Sequence, residues 1–597
     1  MFKQRTVSAI LAAALLLVST GFAQSLEDNW NDFVHYVKIG HAELAKGYAQ
    51  AILQGNPDPV ELLALSKASP EDYQILLLVY EAKRDAELAD LIGKVLNIIE
   101  KGRFTQRVDA PIIAEEVRRL KNGDRAWVTG VKRLQTAGEY AIPFMLEAMA
   151  DGTRKDEYAD IVRALPYIGQ DAIRPLTAAL QTTNVAIKGE IILALGKIGY
   201  PQSQAYLKYI AETDKSPELR AMAGSSLAQI DPAAVKVPAA RLFYKLGESY
   251  YYHAKSLAPQ EDADFGNLWF WDPNAEKLDR VEVDRGYFYE LMSMRCCEWA
   301  LRADAGFGEA IGLWVAAFFK AESAGVKMPE YFGQAHADAL VYATTAGVQY
   351  LHQALARAVK DKNAYVALGA VEALATTAGE KSLLYQVGGS QPLVDALSFN
   401  NRAVRYSAAI AIASAGPRES FPESKLVVAN LAEALGQGPQ AADKEADLWS
   451  EQVANTYAVR AATVMLKLVQ ARNKVIDLSL AQPFLMSAAN DKRTEMQTLA
   501  GQVLAYLGSP DAQRAIAAMA LNGTNSLEVR IAAFESLATS AKLNANMLVD
   551  QMVDGIYALI SSNQTDPNLR SAAAAAYGAL NLPSQKVKDL ILDQAKS

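Results

Sequence analysis

The constraint that governs this chain is internal repetition. Three stretches in its first half align with one another: Ile161–Gly169 (IVRALPYIG), Ile191–Gly199 (IILALGKIG) and Ala223–Asp231 (AGSSLAQID). Leu165, Leu195 and Leu227 fall 30 and 32 residues apart, and Ile168, Ile198 and Ile230 keep the same spacing. Ala164, Ala194 and Ser226 place a small residue at the matching position. Small and apolar residues at helical spacing give each stretch a face that packs closely on a neighbour. Gly169 and Gly199 stand where a helix C-cap favours glycine. Partner segments Ile142–Met149 and Ile173–Leu180 begin 31 residues apart. The unit is helix, turn, helix. A unit of that size buries too little surface to fold alone, so the pattern predicts an all-α chain built as an α-solenoid of stacked antiparallel helix pairs.

A second signature runs through the chain. An aliphatic residue followed by arginine opens the second helix of many units: Leu219-Arg220, Val404-Arg405, Val459-Arg460, Val529-Arg530 and Leu569-Arg570. Small residues follow most of these pairs, as at Ala408-Ala409, Ala461-Ala462, Ala532-Ala533 and Ala572-Ala573. Turn formers precede several, as at Asp566-Pro567 and Asn522-Gly523. The arginines track the repeat, so they read as a structural ladder reaching a carboxylate or carbonyl of the next inter-helix turn. An anion-binding strip is the alternative.

Residues 131–232 and 363–595 thus resemble HEAT-type repeats. The short units of the first block are similar to those of phycobilisome lyases and related proteins. The resemblance implies scaffolding or adaptor roles and, in a few relatives, enzymatic ones. Asn31–Pro59 and residues 240–335 resemble tetratricopeptide helix pairs instead, the first ending in the proline-rich turn Gly55–Pro59. The expected organisation is a leader at 1–23, a tetratricopeptide-like region at 24–130 and HEAT-like repeats at 131–232. An aromatic-rich helical region at 240–335 with a loop insertion at 258–281 follows, then HEAT-like repeats at 336–597.

The leader reading rests on Lys3 and Arg5, the apolar run Ala9–Val18, and the small residues Gly21 and Ala23 before a cleavage point. That is the pattern of a secretory signal peptide, whose apolar stretch is short for a membrane span. An uncleaved anchor is the alternative. The most apolar later run, Ile311–Phe319, is also far too short to span. The chain is therefore expected to be exported, to the periplasm or outside the cell. Its net charge of −8 and pI near 5.5 argue against a nucleic-acid partner.

Chemistry-bearing residues are sparse. Two cysteines exclude a disulfide framework or cysteine-rich zinc module. Cys296-Cys297 lies in a helical pattern and reads as one buried and one partly buried thiol. The five histidines show neither metal-ligand nor triad spacing, and no His-Glu pair occurs, which excludes the di-iron chemistry of the HEAT-repeat hydroxylases that use such pairs. No P-loop, GxGxxG or GxSxG is present. The expectation is a non-catalytic protein with no cofactor and no metal.

What remains is an aromatic concentration. Residues 240–300 hold 13 aromatics, against 8% aromatic residues in the whole chain. The candidate partner-binding residues are Tyr251, Tyr252, His253, Asp262, Asp264, Trp269, Phe270, Trp271 and Asp272. Long loops in compact regions are often functional, and indole and phenol faces suit protein or peptide partners. The alternative is an aromatic plug sealing the junction between two solenoid segments. Asp262-x-Asp264-x-Gly266 matches the opening of a calcium loop but lacks its later ligands, so these acids read as solvated or capping groups. The function expected is an exported, non-catalytic scaffold or adaptor for a protein or peptide. A chromophore-handling lyase or other enzyme, and a purely structural envelope component, are the rivals.

Overall fold

A computed structural model describes residues 25–259, 264–325, 328–329, 337–421, 423–437 and 449–595. It divides into two compact units. The first comprises residues up to 246 and 253–288; the second comprises 247–252 and 289 onward.

The first unit begins with helices Leu26–Lys38 and Ala42–Gln54, a pair stapled by Tyr36 stacked on Tyr48 with ring centroids 5.5 Å apart. Ser25 and Asp28 form a capping box at the start of the pair. Helices Pro59–Ala68, Pro70–Ala82 and Ala86–Val108 complete this region. Its core gathers Trp30, Phe33, Leu62, Leu63, Leu76, Ile92 and Ile99. Proline stands at N1 of two of these helices, where its missing N–H costs nothing.

From Ala110 the unit repeats. Helices Ala141–Ala150, Tyr158–Ala164, Ile173–Ala179, Val185–Ile198, Gln204–Thr213 and Pro217–Ile230 form the expected pairs. Gly199 is the left-handed C-cap of its helix, at φ 77°. The small-residue face works as the pattern implies: a Cβ on Gly196 would lie 2.7 Å from the Cβ of Ser226 on the next repeat's helix.

The second unit is a longer stack of the same kind. Helices Ala364–Thr377, Arg402–Ala415, Glu451–Gln470, Thr494–Leu504, Leu527–Asn544 and Pro567–Ala579 pack each on the next, with the partner helices outside this series. Their shared faces are largely alanine, with Ala408, Ala409, Ala461, Ala462, Ala533 and Ala573 buried. The fold class is therefore an α-solenoid.

The arginine series corrects the expected direction: most of its members reach back to the turn before their own helix, not on to the next one. Arg220 donates to the carbonyls of Asp214 and Lys215, Arg405 to those of Phe399 and Asn400, and Arg570 to those of Ser562 and Thr565. Arg530 donates to the carbonyl of Ala520 at 3.0 Å. These four arginines tie off the turn that leads into their own helix, where helix-end carbonyls lack partners. Arg405 also extends forward, to Asn430 and Glu433. Arg460 departs from the series and forms a bidentate pair with Glu372.

Three further local expectations are corrected. From Phe265 the segment read as a loop insertion at 258–281 forms a β-hairpin, with β1 at Phe265–Asp272 and β2 at Lys277–Asp284. The helical region expected from residue 240 up to the insertion breaks earlier: helix Ala239–Tyr251 stops at Tyr251, and His253 takes a left-handed backbone with φ 52°. Both Cys296 and Cys297 are fully buried, and both thiols are free. Burial pushes both thiols far above the usual range, so neither is poised as a nucleophile.

Candidate functional site

The hairpin forms because its residues alternate and suit strands. Aromatic Phe265, Trp269, Phe270 and Trp271 favour a pleated surface, and Val281 and Val283 alternate with charged residues on the second strand. The strands pair antiparallel, with Leu268 opposite Val281, Trp269 opposite Arg280 and Trp271 opposite Leu278. Asp272 closes the turn: its carboxylate accepts the backbone N–H groups of Asn274 and Ala275 at 2.8 and 3.2 Å. That is the Asx geometry aspartate adopts in turns.

The hairpin is seated on the repeats of its own unit through a buried carboxylate. Glu139, on the short 3-10 turn Gly138–Tyr140, is 2% exposed. It accepts the Trp269 indole N–H at 2.8 Å and the Asn267 amide at 2.6 Å, and pairs with Arg174 at 3.4 Å. Asn267 also donates to the Tyr140 hydroxyl at 2.8 Å. Burial raises the Tyr140 phenol, which therefore stays neutral. Phe265 packs edge-on against Phe104, and Arg280 lies over the Tyr140 ring. On the other face of β1, Gly266 lies flush against Phe288; a Cβ there would come within 2.2 Å of the ring.

Beside this seat lies a cleft of about 490 Å³. Its apolar lining comes from Leu146, Ile187 and Ile191 of the repeats and from Trp271 and Leu278 of the hairpin. Polar groups surround that lining: Glu147 and Asp151 at the end of helix Ala141–Ala150, Asn184 at the cap of Val185–Ile198, and Glu276 and Lys277 at the hairpin turn. An apolar concavity with a few convergent polar groups is the usual form of a recognition site.

The expected site residues thus separate. Trp269 is buried in the hairpin's seat, while Trp271, partly exposed, lines the cleft. Phe270 is partly buried on the opposite face of β1. Asp264 is exposed, Asp272 is a turn former, and Asp262 lies outside the described residues. Tyr251 and Tyr252 belong to the second unit. There Arg357 donates to the Tyr252 hydroxyl at 2.8 Å, and Lys320 donates to the Tyr251 carbonyl at 2.6 Å while pairing with the buried Glu290. His253 is exposed on the left-handed turn that follows.

Sequence reasoning missed Glu139, Arg174 and the floor of the cleft. Glu139 meets Asn267 and Trp269 across 128 and 130 residues of chain, a separation no local pattern encodes. The hairpin itself did leave a signal, the short alternation Val281-Glu282-Val283-Asp284 downstream of the turn formers Asp272-Pro273-Asn274.

Among the described residues, no group of histidine, cysteine or carboxylate side chains is arranged to hold a metal ion. No helix among them is long and apolar enough to cross a membrane.

A match to a known family agrees with this class of fold. Residues 142–228 match the family model of HEAT repeats, within the block where the self-similarity is strongest. No curated protein matches the chain. Among solved structures, an engineered protein is similar at 15% identity over 92% of this chain and 99% of its own, with a TM-score of 0.23. Yeast importin-beta (Kap95p) is similar at 12% identity over 94% of this chain and 70% of its own, with a TM-score of 0.28. Kap121p, solved bound to Ste12p, is similar at 12% identity with a TM-score of 0.29; the match covers 97% of this chain and 62% of that one. Scores this low say nothing of this chain's function.

Proposed function

We propose that the chain is an exported, non-catalytic scaffold that binds a protein or peptide, and that the hairpin cleft is its recognition surface. The observation that supports this most is the division of labour along β1. Trp269 is committed to holding the hairpin, whereas Trp271, two residues on, lines an open, mostly apolar cleft. An aromatic side chain held on a rigid, independently anchored element is what a recognition hot spot requires.

The rival lyase-type reading calls for a reactive constellation opening onto a cleft. The groups here are three carboxylates, an indole, and a lysine 3.5 Å from Asp279. The buried carboxylates Glu139 and Glu290 are tied into contacts that hold elements together. These features suit binding better than turnover.

The test is affinity capture from the envelope fraction with wild type and Trp271→Ala. The variant is expected to lose its principal partner, with its melting temperature unchanged. Identical partner sets would sink the proposal that this cleft carries recognition. Export has its own test. N-terminal sequencing of the protein recovered from outside the cytoplasm is expected to start near Gln24, and a start at Met1 would defeat the leader reading.

A further inference from the structure

We propose that the hairpin cleft takes an arginine or lysine side chain presented by an extended segment of the partner protein. The inference rests on the protein-binding reading above and names the chemistry of the occupant.

The argument is complementarity. Lysine and arginine combine an apolar stem with a cationic head, and they bury the stem while keeping the head among polar groups. The cleft has that layout. Leu146, Ile187 and Leu278, backed by the fully buried Ile191, supply apolar surface for a stem, and Glu147, Asp151 and Glu276 are anionic groups for a head. A volume of about 490 Å³ accommodates such a side chain with its neighbours.

The charge around the cleft is unbalanced. Glu147 has no ion-pair partner among the described residues. Asp151 accepts the Thr153 backbone N–H and hydroxyl on one oxygen, at 2.8 and 2.7 Å. Those bonds hold its carboxyl below the usual range, so it is ionised at neutral pH. Glu276 accepts the Thr183 hydroxyl at 2.6 Å on one oxygen. The cation in the lining, Lys277, lies 3.5 Å from Asp279, which is outside the cleft. Helix Ala141–Ala150 also ends here, and the C-terminal end of a helix carries negative partial charge that favours cations. Trp271 adds an indole face, the aromatic surface that attracts a cation most strongly. Three acids, a helix C-terminus and an indole therefore converge on one apolar concavity. An acidic segment meets repulsion there, and a wholly apolar one leaves the carboxylates without a partner.

The experiment uses the full mature chain and three fluorescein-labelled nine-residue peptides. They are identical except for a central arginine, norleucine or glutamate between leucines. Binding is followed by fluorescence anisotropy at low and high salt. The arginine peptide is expected to bind about tenfold tighter than the norleucine peptide, the value of one charge-assisted contact, and to weaken as salt rises. The glutamate peptide is expected not to bind. Glu147→Gln is expected to erase most of the preference for arginine over norleucine. Trp271→Leu is expected to weaken both peptides, and circular dichroism melts must match wild type for each variant.

Equal affinity for the three peptides overturns the proposal, as does undiminished arginine binding in Glu147→Gln. If no peptide binds while Trp271 still governs capture from the envelope fraction, the cationic occupant is wrong and the scaffold reading stands. If Trp271 governs neither, both fall. Concentration-dependent self-association abolished by Trp271→Leu, with no peptide bound, would instead make a second copy of this chain the occupant and would likewise overturn the proposal.

Discussion

Glu139→Ala is expected to destabilise the first unit by about 3–5 kcal/mol, the usual cost of removing one partner from a buried charged contact. The carboxylate accepts from Trp269 and Asn267 and pairs with Arg174 at once. Alanine removes the acceptor of the Trp269 indole N–H and the carboxylate that pairs with the mostly buried Arg174 guanidinium. Asn267 keeps only its bond to Tyr140. A buried donor left without a partner costs about 1–3 kcal/mol, more when charged, so the sum falls in the stated range. For a unit of this size the melting temperature of its transition falls by about 6–15 °C. Amide exchange is expected to accelerate first along Phe265–Asp284, because the hairpin depends most on this residue. Glu139→Gln preserves shape but presents an NH2 group where an acceptor is needed, so it is expected to lose roughly half as much. A Glu139→Ala melt within about 1 °C of wild type would show that hydrophobic contacts alone seat the hairpin.

That residue also marks where the sequence stops being legible. The solenoid could be read because its information is local and repeated. Leu165, Leu195 and Leu227 recur at nearly constant spacing, and Gly196 and Ser226 are small where adjacent helices touch. The repeat places the arginines, but the direction expected of them, toward the next turn, is the wrong one. A sequence does not say whether Arg220 turns toward the turn before it or the one after, and the nearest unsatisfied carbonyls lie before it.

The aromatic insertion takes a different form from the loop expected. Its second strand is almost entirely charged on one face, because that face is solvent-exposed while the other strand is covered. A strand half in water offers a weak pattern beside a run of aromatics. Within the insertion, composition could not separate Trp269 from Trp271. Their different roles depend on Glu139 and on the Ile187–Ile191 face, which are distant in sequence.

The same limit yields a prediction with two opposite signs on one helix. Gly93 and Gly102 both interrupt helix Ala86–Val108, and in sequence both look like sites where alanine would gain about 1 kcal/mol of helix propensity. Their surroundings differ. A Cβ on Gly102 would lie 2.1 Å from the carbonyl oxygen of Pro59 and 2.6 Å from its carbonyl carbon, in the first turn of helix Pro59–Ala68. Those are backbone atoms, so relief requires the two helices to part by about 1 Å, loosening the contact that buries Leu62, Leu63 and Ile99. Overpacking of this kind costs about 1–3 kcal/mol, and a backbone obstacle places it at the upper end. After the propensity gain, Gly102→Ala is expected to be destabilising by about 2 kcal/mol. A Cβ on Gly93 meets the edge of the Tyr80 ring at 2.8 Å. That ring is 39% exposed and free to swing outward, so most of the propensity gain survives. Gly93→Ala is expected to be neutral or stabilising by up to about 1 kcal/mol. Paired urea melts of the two variants read the difference directly. Equal shifts would mean that helix propensity, and not the close approach at Pro59, decides the stability of this region, and Gly102 would then have no packing role.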